Sequence, residues 1–345
     1  VTLSGQETFI TASIGITVYP EDSADFDGLV KNADTAMYRA KEGGGNSYRF
    51  FTPEMHAKAG ERLKMESGLR RALERDEFVV YYQPKVDLES GTIIGAEALI
   101  RWKHPEWGLV SPAEFVPILE ETGLIEPVGE WVLKTVCIQI RSWQDNPAMP
   151  PLSVAVNLSG RQLQRNNLAS TIANLLEETG LEPHWLELEV TESMLMHDPE
   201  FAADMLRQIR AKGVMNIDVD DFGTGYSSLS YLKRFPIDSL KLDKSFVQGV
   251  PQDEEDIAIC KAVIALAHNL KLKVIAEGVE TNEQLAFLSQ HGCEVIQGYI
   301  ISPPLPAEAF AQLACENKHM ERWLAKGVAY QLSNTLATDP GNAPV

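Results

Sequence analysis

Between residues 78 and 297 the chain repeats one pattern: short apolar runs of strand character, with stretches of helical spacing between most of them. The strand-like runs fall at 78–83, 93–99, 153–158, 186–190, 214–219, 239–242, 273–276 and 295–297. Helical periodicity marks 112–122, 128–143, 168–180, 199–212, 253–269 and 282–291. Gly123, Gly180, Gly213 and Gly292 stand where a helix needs a residue that tolerates a left-handed backbone. Eight strands with mostly helical connections predict an α/β fold, a (β/α)8 barrel in preference to an open doubly wound sheet.

What ends those strands points to chemistry. Glu97 follows Ile93-Ile94-Gly95-Ala96, Asn157 follows Val154-Ala155-Val156, and Glu189 closes Leu186-Glu187-Leu188. Asp220 and Asp221 close Ile217-Asp218-Val219, Lys241 follows Ser239-Leu240, Glu277 follows Val274-Ile275-Ala276, and Gln297 follows Val295-Ile296. In parallel barrel strands these groups meet at the C-terminal mouth, where barrel enzymes carry out their reactions. Five carboxylates and one Asn, with no accompanying His or Cys constellation, form an oxygen-donor set suited to Mg²⁺ or Mn²⁺ rather than zinc. Two such ions sharing an Asp would neutralise the site, activate a water and stabilise displacement at phosphorus. Lys241, held among carboxylates, is expected to stay protonated and to orient water rather than act as a free base. The plain alternative, that each acid merely caps a helix or meets a surface Arg, has to explain seven polar strand ends at once.

Net charge narrows the substrate. Lys+Arg 30 against Asp+Glu 49 leaves −19, a field that repels a polynucleotide and argues against a DNA or RNA binder. An anionic substrate then requires bound cations or placed Arg and Lys residues. Cys137, Cys260, Cys293 and Cys315 have no CxxC spacing and read as small core residues of a reducing compartment. The sequence does not open on a basic stretch followed by an apolar run, and no segment approaches the ~18 uninterrupted apolar residues of a membrane span. The expectation is a soluble, cytoplasmic chain, with a longer parent free to carry a sensor anchored at the inner membrane.

The ends differ from the middle. Residues 9–19 alternate apolar and polar, 26–41 have helical spacing, Gly43-Gly44-Gly45-Asn46 breaks it, and 47–51 read as a closing strand. Ser13-Ile14-Gly15-Ile16, the run from Ala33 to Lys41, and Gly45-Asn46 before Tyr48 make residues 1–52 resemble the C-terminal part of a GGDEF domain, the diguanylate cyclase family. That family's signature loop is absent, so these residues are expected to carry no cyclase chemistry. Residues 53–76 are expected to form a linker helix with Leu63, Leu69, Ala72 and Leu73 on one side, and 316–345 a weakly ordered tail.

The loop from Asp221 to Leu229 begins with the Asp-Phe-Gly of kinases, but no kinase Gly-rich loop, strand Lys or His-Arg-Asp loop accompanies it. Instead a series of motifs makes residues 62–315 resemble the EAL domain, the family of cyclic di-GMP phosphodiesterases. They are Tyr81-Tyr82-Gln83-Pro84, Glu97-Ala98-Leu99 with Arg101-Trp102, Asn157-Leu158-Ser159, and Glu189-Val190-Thr191-Glu192-Ser193. Asp220 through Leu229, Leu240-Lys241-Leu242-Asp243, Glu277-Gly278-Val279-Glu280-Thr281 and Gln297-Gly298-Tyr299 continue the series.

The resemblance implies that Glu97, Asn157, Glu189 and Asp220 hold one metal and Asp220 with Asp221 a second, Glu277 lying near metal or water. Lys241 would touch the nucleophilic water, and Glu97, Asp220, Lys241 and Glu277 would be the catalytic set. It also implies that Glu192 steadies the loop after Asp221, and that Gln83, Leu99, Arg101, Asp243 and Gln297 face the nucleotide. The implied product is linear pGpG, and the implied partners are a second copy of the barrel and an upstream sensor or complete GGDEF domain. A silent nucleotide receptor or a dimerisation module is the alternative. Two departures stand out: Ile100 replaces the usual Leu, and Pro303 stands where relatives often carry a Lys or Arg.

Overall fold

The computed structural model describes residues 2–3, 6–7, 11–42, 45–225 and 229–316. Tyr226, Ser227 and Ser228 of the glycine loop, Phe9 and Ile10 of the first expected strand, and the expected tail beyond residue 316 lie outside the described residues. The chain divides into two compact units, Val1–Ala72 and Leu73–Val345.

In the first unit, strands Ile14–Ile16 and Tyr48–Phe50 pair in parallel, joined by helix Phe26–Glu42. The helix lies so close on its strand that a Cβ at Gly15 would strike the backbone of Ala33 and Met37. Ala36 and Ala40 are fully buried, whereas Phe26, Tyr48 and Phe50 are exposed. Helix Pro53–Ala72 ends four residues short of the expected linker, and of its expected apolar side Leu69 and Ala72 are buried while Leu63 is exposed.

The second unit is a closed eight-stranded barrel wrapped in helices. Its strands are β1 (Phe78–Asp87), β2 (Ile93–His104), β3 (Ser153–Asn157), β4 (Leu186–Thr191), β5 (Asn216–Phe222), β6 (Ser239–Leu242), β7 (Lys273–Ala276) and β8 (Val295–Gln297). From β2 to β8 every neighbouring pair is parallel. β1 closes the ring and runs antiparallel to both β2 and β8, so the expected (β/α)8 barrel forms with its first strand reversed. The reason is the length of the first connection. Residues 88–92 are too few for a crossover, which takes a dozen or more residues, so β1 and β2 can only form a hairpin. Gly91, at φ 69°, closes the turn, and Asp87 Oδ1 accepts from the Ser90 amide at 2.7 Å.

Pairing with β1 also lengthens β2. Register matches Phe78 with Trp102 and Gln83 with Glu97, so Glu97 sits mid-strand rather than at a strand end. Gly123 and Gly180 cap helices Pro112–Thr122 and Leu168–Thr179 with left-handed backbones, as their positions predicted. On helix Ile125–Gln144 the residues Val132, Leu133, Val136 and Ile140 are buried, the spacing of one helical face. Strand alternation then sorts the barrel: Val154, Val156, Leu186, Leu188, Val190, Ile217 and Val219 join the apolar core, and on β4 and β5 the intervening Glu187, Glu189 and Asp218 carry charge inward. Cys137, Cys260 and Cys293 are buried as expected; Cys315 is exposed, because it falls on the outer side of the last described helix, Ala307–Glu316.

Candidate active site

Lys241, on β6, is fully buried, and its ammonium sits among four acids from four other segments of the barrel. Nζ lies 2.5 Å from Glu277 Oε1, 2.7 Å from Glu189 Oε2, 3.2 Å from Asp220 Oδ1 and 3.5 Å from Glu97 Oε2. Asn157 Nδ2 donates to Glu97 Oε1 at 2.6 Å. The mouth thus brings together Glu97, Asn157, Glu189, Asp220, Lys241 and Glu277.

Gln297 is drawn into the same group. Its Nε2 donates to Glu97 Oε2 at 2.5 Å and to Gln83 Oε1 at 3.0 Å, and Gln83 Nε2 reaches the Ser302 carbonyl at 3.3 Å. Gln297 Oε1 is buried without a hydrogen-bond partner among the described residues. The two glutamines therefore fix Glu97 as much as they face the mouth.

Asp221 takes a left-handed backbone, φ 53°, with its carboxyl beside that of Asp243. Its amide donates to Asp220 Oδ1 at 2.9 Å. Asp243 caps helix Lys244–Gly249 by accepting from the Ser245 amide at 2.9 Å. Glu192, buried, accepts from the Gly223 amide at 3.0 Å through Oε2, tying the end of β4 to the start of the glycine loop. Arg101 bonds the Ile100 carbonyl at 2.9 Å, with its guanidinium 5.8 Å over the Tyr81 ring. Leu99 lines a largely apolar cavity of about 400 Å³ together with Ala98, Val116, Ile125 and Val128, and Asn157 borders both that cavity and the acid cluster.

Electrostatics explain why an ammonium sits there. Burial, then repulsion between neighbouring acids, raises Glu97 and Asp220 above the ordinary carboxylate range, and takes Glu277 to about 8 against the pull of Lys241. Glu189 goes the other way, to about 2, because Lys241 and a second lysine overcome its burial. Lys241 itself stays an ammonium: burial works against its charge, and the surrounding carboxylates hold its pKa well above the ordinary lysine value. Partial desolvation and then the Asp243 carboxyl raise Asp221.

Strand-end reasoning missed a second layer beneath this one. Lys85, on β1, contacts Glu189 Oε1 at 2.8 Å, Glu187 Oε2 at 3.2 Å and Asp218 Oδ2 at 3.3 Å. Burial followed by the neighbouring acids lifts Asp218 to about 6, while Lys85 pulls Glu187 down in spite of its burial. The signal was present as two alternating acid pairs, Glu187-x-Glu189 and Asp218-x-Asp220, which a strand must point to one side.

The donor set suits hard divalent cations: carboxylate and amide oxygens, several held in a disfavoured ionised state that a cation would relieve. Two ammoniums face six carboxylates across the two layers, an excess of four negative charges when all are ionised. Two divalent ions carry the opposite charge. Among the described residues no three His, Cys, Asp or Glu side chains form a ready metal cage, since the carboxylates of the mouth close on Lys241 instead.

Two family models match the chain: the EAL domain over residues 66–304 and the diguanylate cyclase GGDEF domain over residues 1–47. The bifunctional diguanylate cyclase/cyclic di-GMP phosphodiesterase MucR of Pseudomonas aeruginosa is 47% identical over 306 residues, covering 89% of this chain and 44% of that protein. The cyclic di-GMP phosphodiesterase PdeR of Escherichia coli is 42% identical over 304 residues, covering 88% of this chain and 45% of that protein. The chain thus spans less than half the length of these relatives. The solved structure of a MucR phosphodiesterase in complex with c-di-GMP superposes with a TM-score of 0.69 at 47% identity, covering 72% of this chain and 99% of that one.

Proposed function

The chain belongs to the EAL domain family, and from that membership we propose that it hydrolyses cyclic di-GMP to linear pGpG. One observation carries the reading: five acid and amide side chains, Glu97, Asn157, Glu189 and Asp220 on strands and Glu277 just after one, gathered about Lys241 at the mouth of the barrel. The solved c-di-GMP complex of a 47% identical chain and the phosphodiesterase names of the relatives support it.

In this reading Glu97, Asn157, Glu189 and Asp220 would hold one Mg²⁺ or Mn²⁺, and Asp220 with Asp221 a second, Glu277 standing beside them. Bound there, the two ions would supply the charge that makes a water nucleophilic and stabilises the attacked phosphate. Lys241, kept protonated by its four acids, donates hydrogen bonds to the attacking water and cannot remove its proton. The Arg101 guanidinium offers paired donors to the phosphate oxygens. Leu99 and the cavity behind it give a flat base an apolar wall, while Gln83, Gln297 and Asp243 edge the nucleotide. Water adds to one phosphorus as one P–O ester bond breaks, and the proton that the water gives up passes through solvent to the departing oxygen.

The same reading assigns residues 1–52 as a GGDEF remnant without cyclase chemistry, 53–76 as the link to the barrel at 62–315, and 316–345 as a tail. It also includes barrel-to-barrel pairing of two copies and a longer parent with a sensor or complete GGDEF domain. Product analysis of the unaltered chain and of Glu97→Ala, each with c-di-GMP and Mg²⁺ or Mn²⁺, tests it. The unaltered chain is expected to give pGpG only with metal, and the variant to lose at least about 100-fold in rate. Full hydrolysis by Glu97→Ala, or nucleotide binding without product in excess metal, overturns the assignment.

A further inference from the structure

Glu189 has no exposure to solvent, and its two oxygens are divided between two buried ammoniums. Oε2 faces Lys241 at the mouth, and Oε1 faces Lys85 beneath it. Lys85 is in turn held from below. Glu187 Oε2 and Asp218 Oδ2 both contact its Nζ, and each of those acids is itself anchored. Glu187 Oε1 accepts from Ser153 Oγ at 2.6 Å and from Asn216 Nδ2 at 2.9 Å, and Asp218 Oδ1 accepts from Ser239 Oγ. A cavity of about 270 Å³ on the floor side is bordered by these same groups.

Such a network does more than satisfy charge. A carboxylate with a free oxygen rotates about its terminal bond, and one with an oxygen pinned from behind presents a single oxygen in one direction. Groups behind a ligating carboxylate set its orientation in this way. We propose that Lys85, contributed by the reversed strand β1, is a positioning residue for the reaction: it pins Glu189 Oε1 so that only Oε2 is offered to the mouth. The inference rests on the reading of the mouth as a metal-dependent phosphodiesterase site.

The test uses the full chain carrying Lys85→Met, alongside Lys85→Met/Glu187→Leu/Asp218→Val. The triple variant replaces the floor network with apolar groups, an exchange that buried ion networks tolerate better than loss of one partner. Three quantities are read: kcat and KM for c-di-GMP at saturating metal, Mn²⁺ affinity of the nucleotide-free protein by electron paramagnetic resonance, and cooperative melting. The expected result in a variant that melts cooperatively is kcat lowered by about 10- to 100-fold, KM within about twofold, and Mn²⁺ bound about 10- to 100-fold more weakly.

Charge alone predicts the reverse for Lys85→Met, since removing a cation beside the acids should tighten Mn²⁺. Mn²⁺ bound as tightly as in the unaltered chain, or more tightly, therefore overturns the proposal. Unfolding of both variants also overturns it, in favour of a purely structural lysine. The Mn²⁺ measurement needs no turnover. An unaltered chain that hydrolyses nothing sinks the phosphodiesterase reading, and the metal affinities still decide Lys85.

Discussion

Among the individual side chains, Glu277 makes the sharpest demand on conditions. Without metal its pKa stands at about 8, raised first by burial and then by Asp220 and Glu97. A carboxyl raised in the folded state binds a proton that the unfolded chain releases at its ordinary value. Its stabilising contribution is therefore complete below that ordinary value and is lost as pH rises through about 8. Metal-free protein should accordingly become easier to unfold by urea between about pH 6 and about pH 9, and saturating Mg²⁺ should flatten that slope. Metal binding at neutral pH should release protons, visible as a buffer-dependent heat in titration calorimetry; no buffer dependence would contradict the raised value. Most of this site was legible in the sequence, because Glu97, Glu189, Asp220, Lys241 and Glu277 each follow a recognisable apolar run. Lys85, Glu187 and Asp218 were not, because they lie inside strands rather than at their ends, and only a polar barrel interior gives such positions a part in the site.

Between elements, the short connections decide the architecture. The five residues joining β1 to β2 force the hairpin, and the hairpin places Gln83 opposite Glu97 and brings Lys85 under Glu189. That geometry could have been read from connection length alone, whereas strand count and helical spacing were silent on it. The other side of the mouth depends on a close approach. The Val279 amide donates to the Gln297 carbonyl at 3.1 Å, and the Ile300 amide to the Val279 carbonyl at 2.9 Å. A Cβ at Gly298 would land on the Val279 backbone. Gly298→Ala should push β8 off the loop that carries Glu277, costing about 1–3 kcal/mol in urea unfolding. It should lower kcat more than it raises KM; wild-type kinetics in a destabilised variant would show that the loop does not govern Glu277.

At the scale of the whole molecule, a formal charge of −19 meets, in the proposed function, a substrate that is itself an anion. Part of that charge lies in the barrel interior and is of the kind metal can cancel; the remainder still repels an approaching nucleotide. Raising salt from about 0.01 M to about 0.1 M shortens the screening length from about 30 Å to about 10 Å. At saturating metal, kcat/KM should therefore rise over that range, the opposite of an enzyme that steers anions in; a steep fall would mean that Arg101 and the bound ions dominate the outer field as well. The reversal of β1 has one more result at this scale. In an all-parallel barrel the polypeptide enters at the floor, and a ten-residue strand, about 30 Å, separates its entrance from the chemistry. Here Phe78, the first residue of the barrel, pairs beside Trp102 near the upper end of β2. The doorway of the fold opens on the rim that carries Arg101, opposite Val79, so a tug or twist transmitted along the backbone into Phe78 arrives one residue from that pairing without crossing the barrel at all.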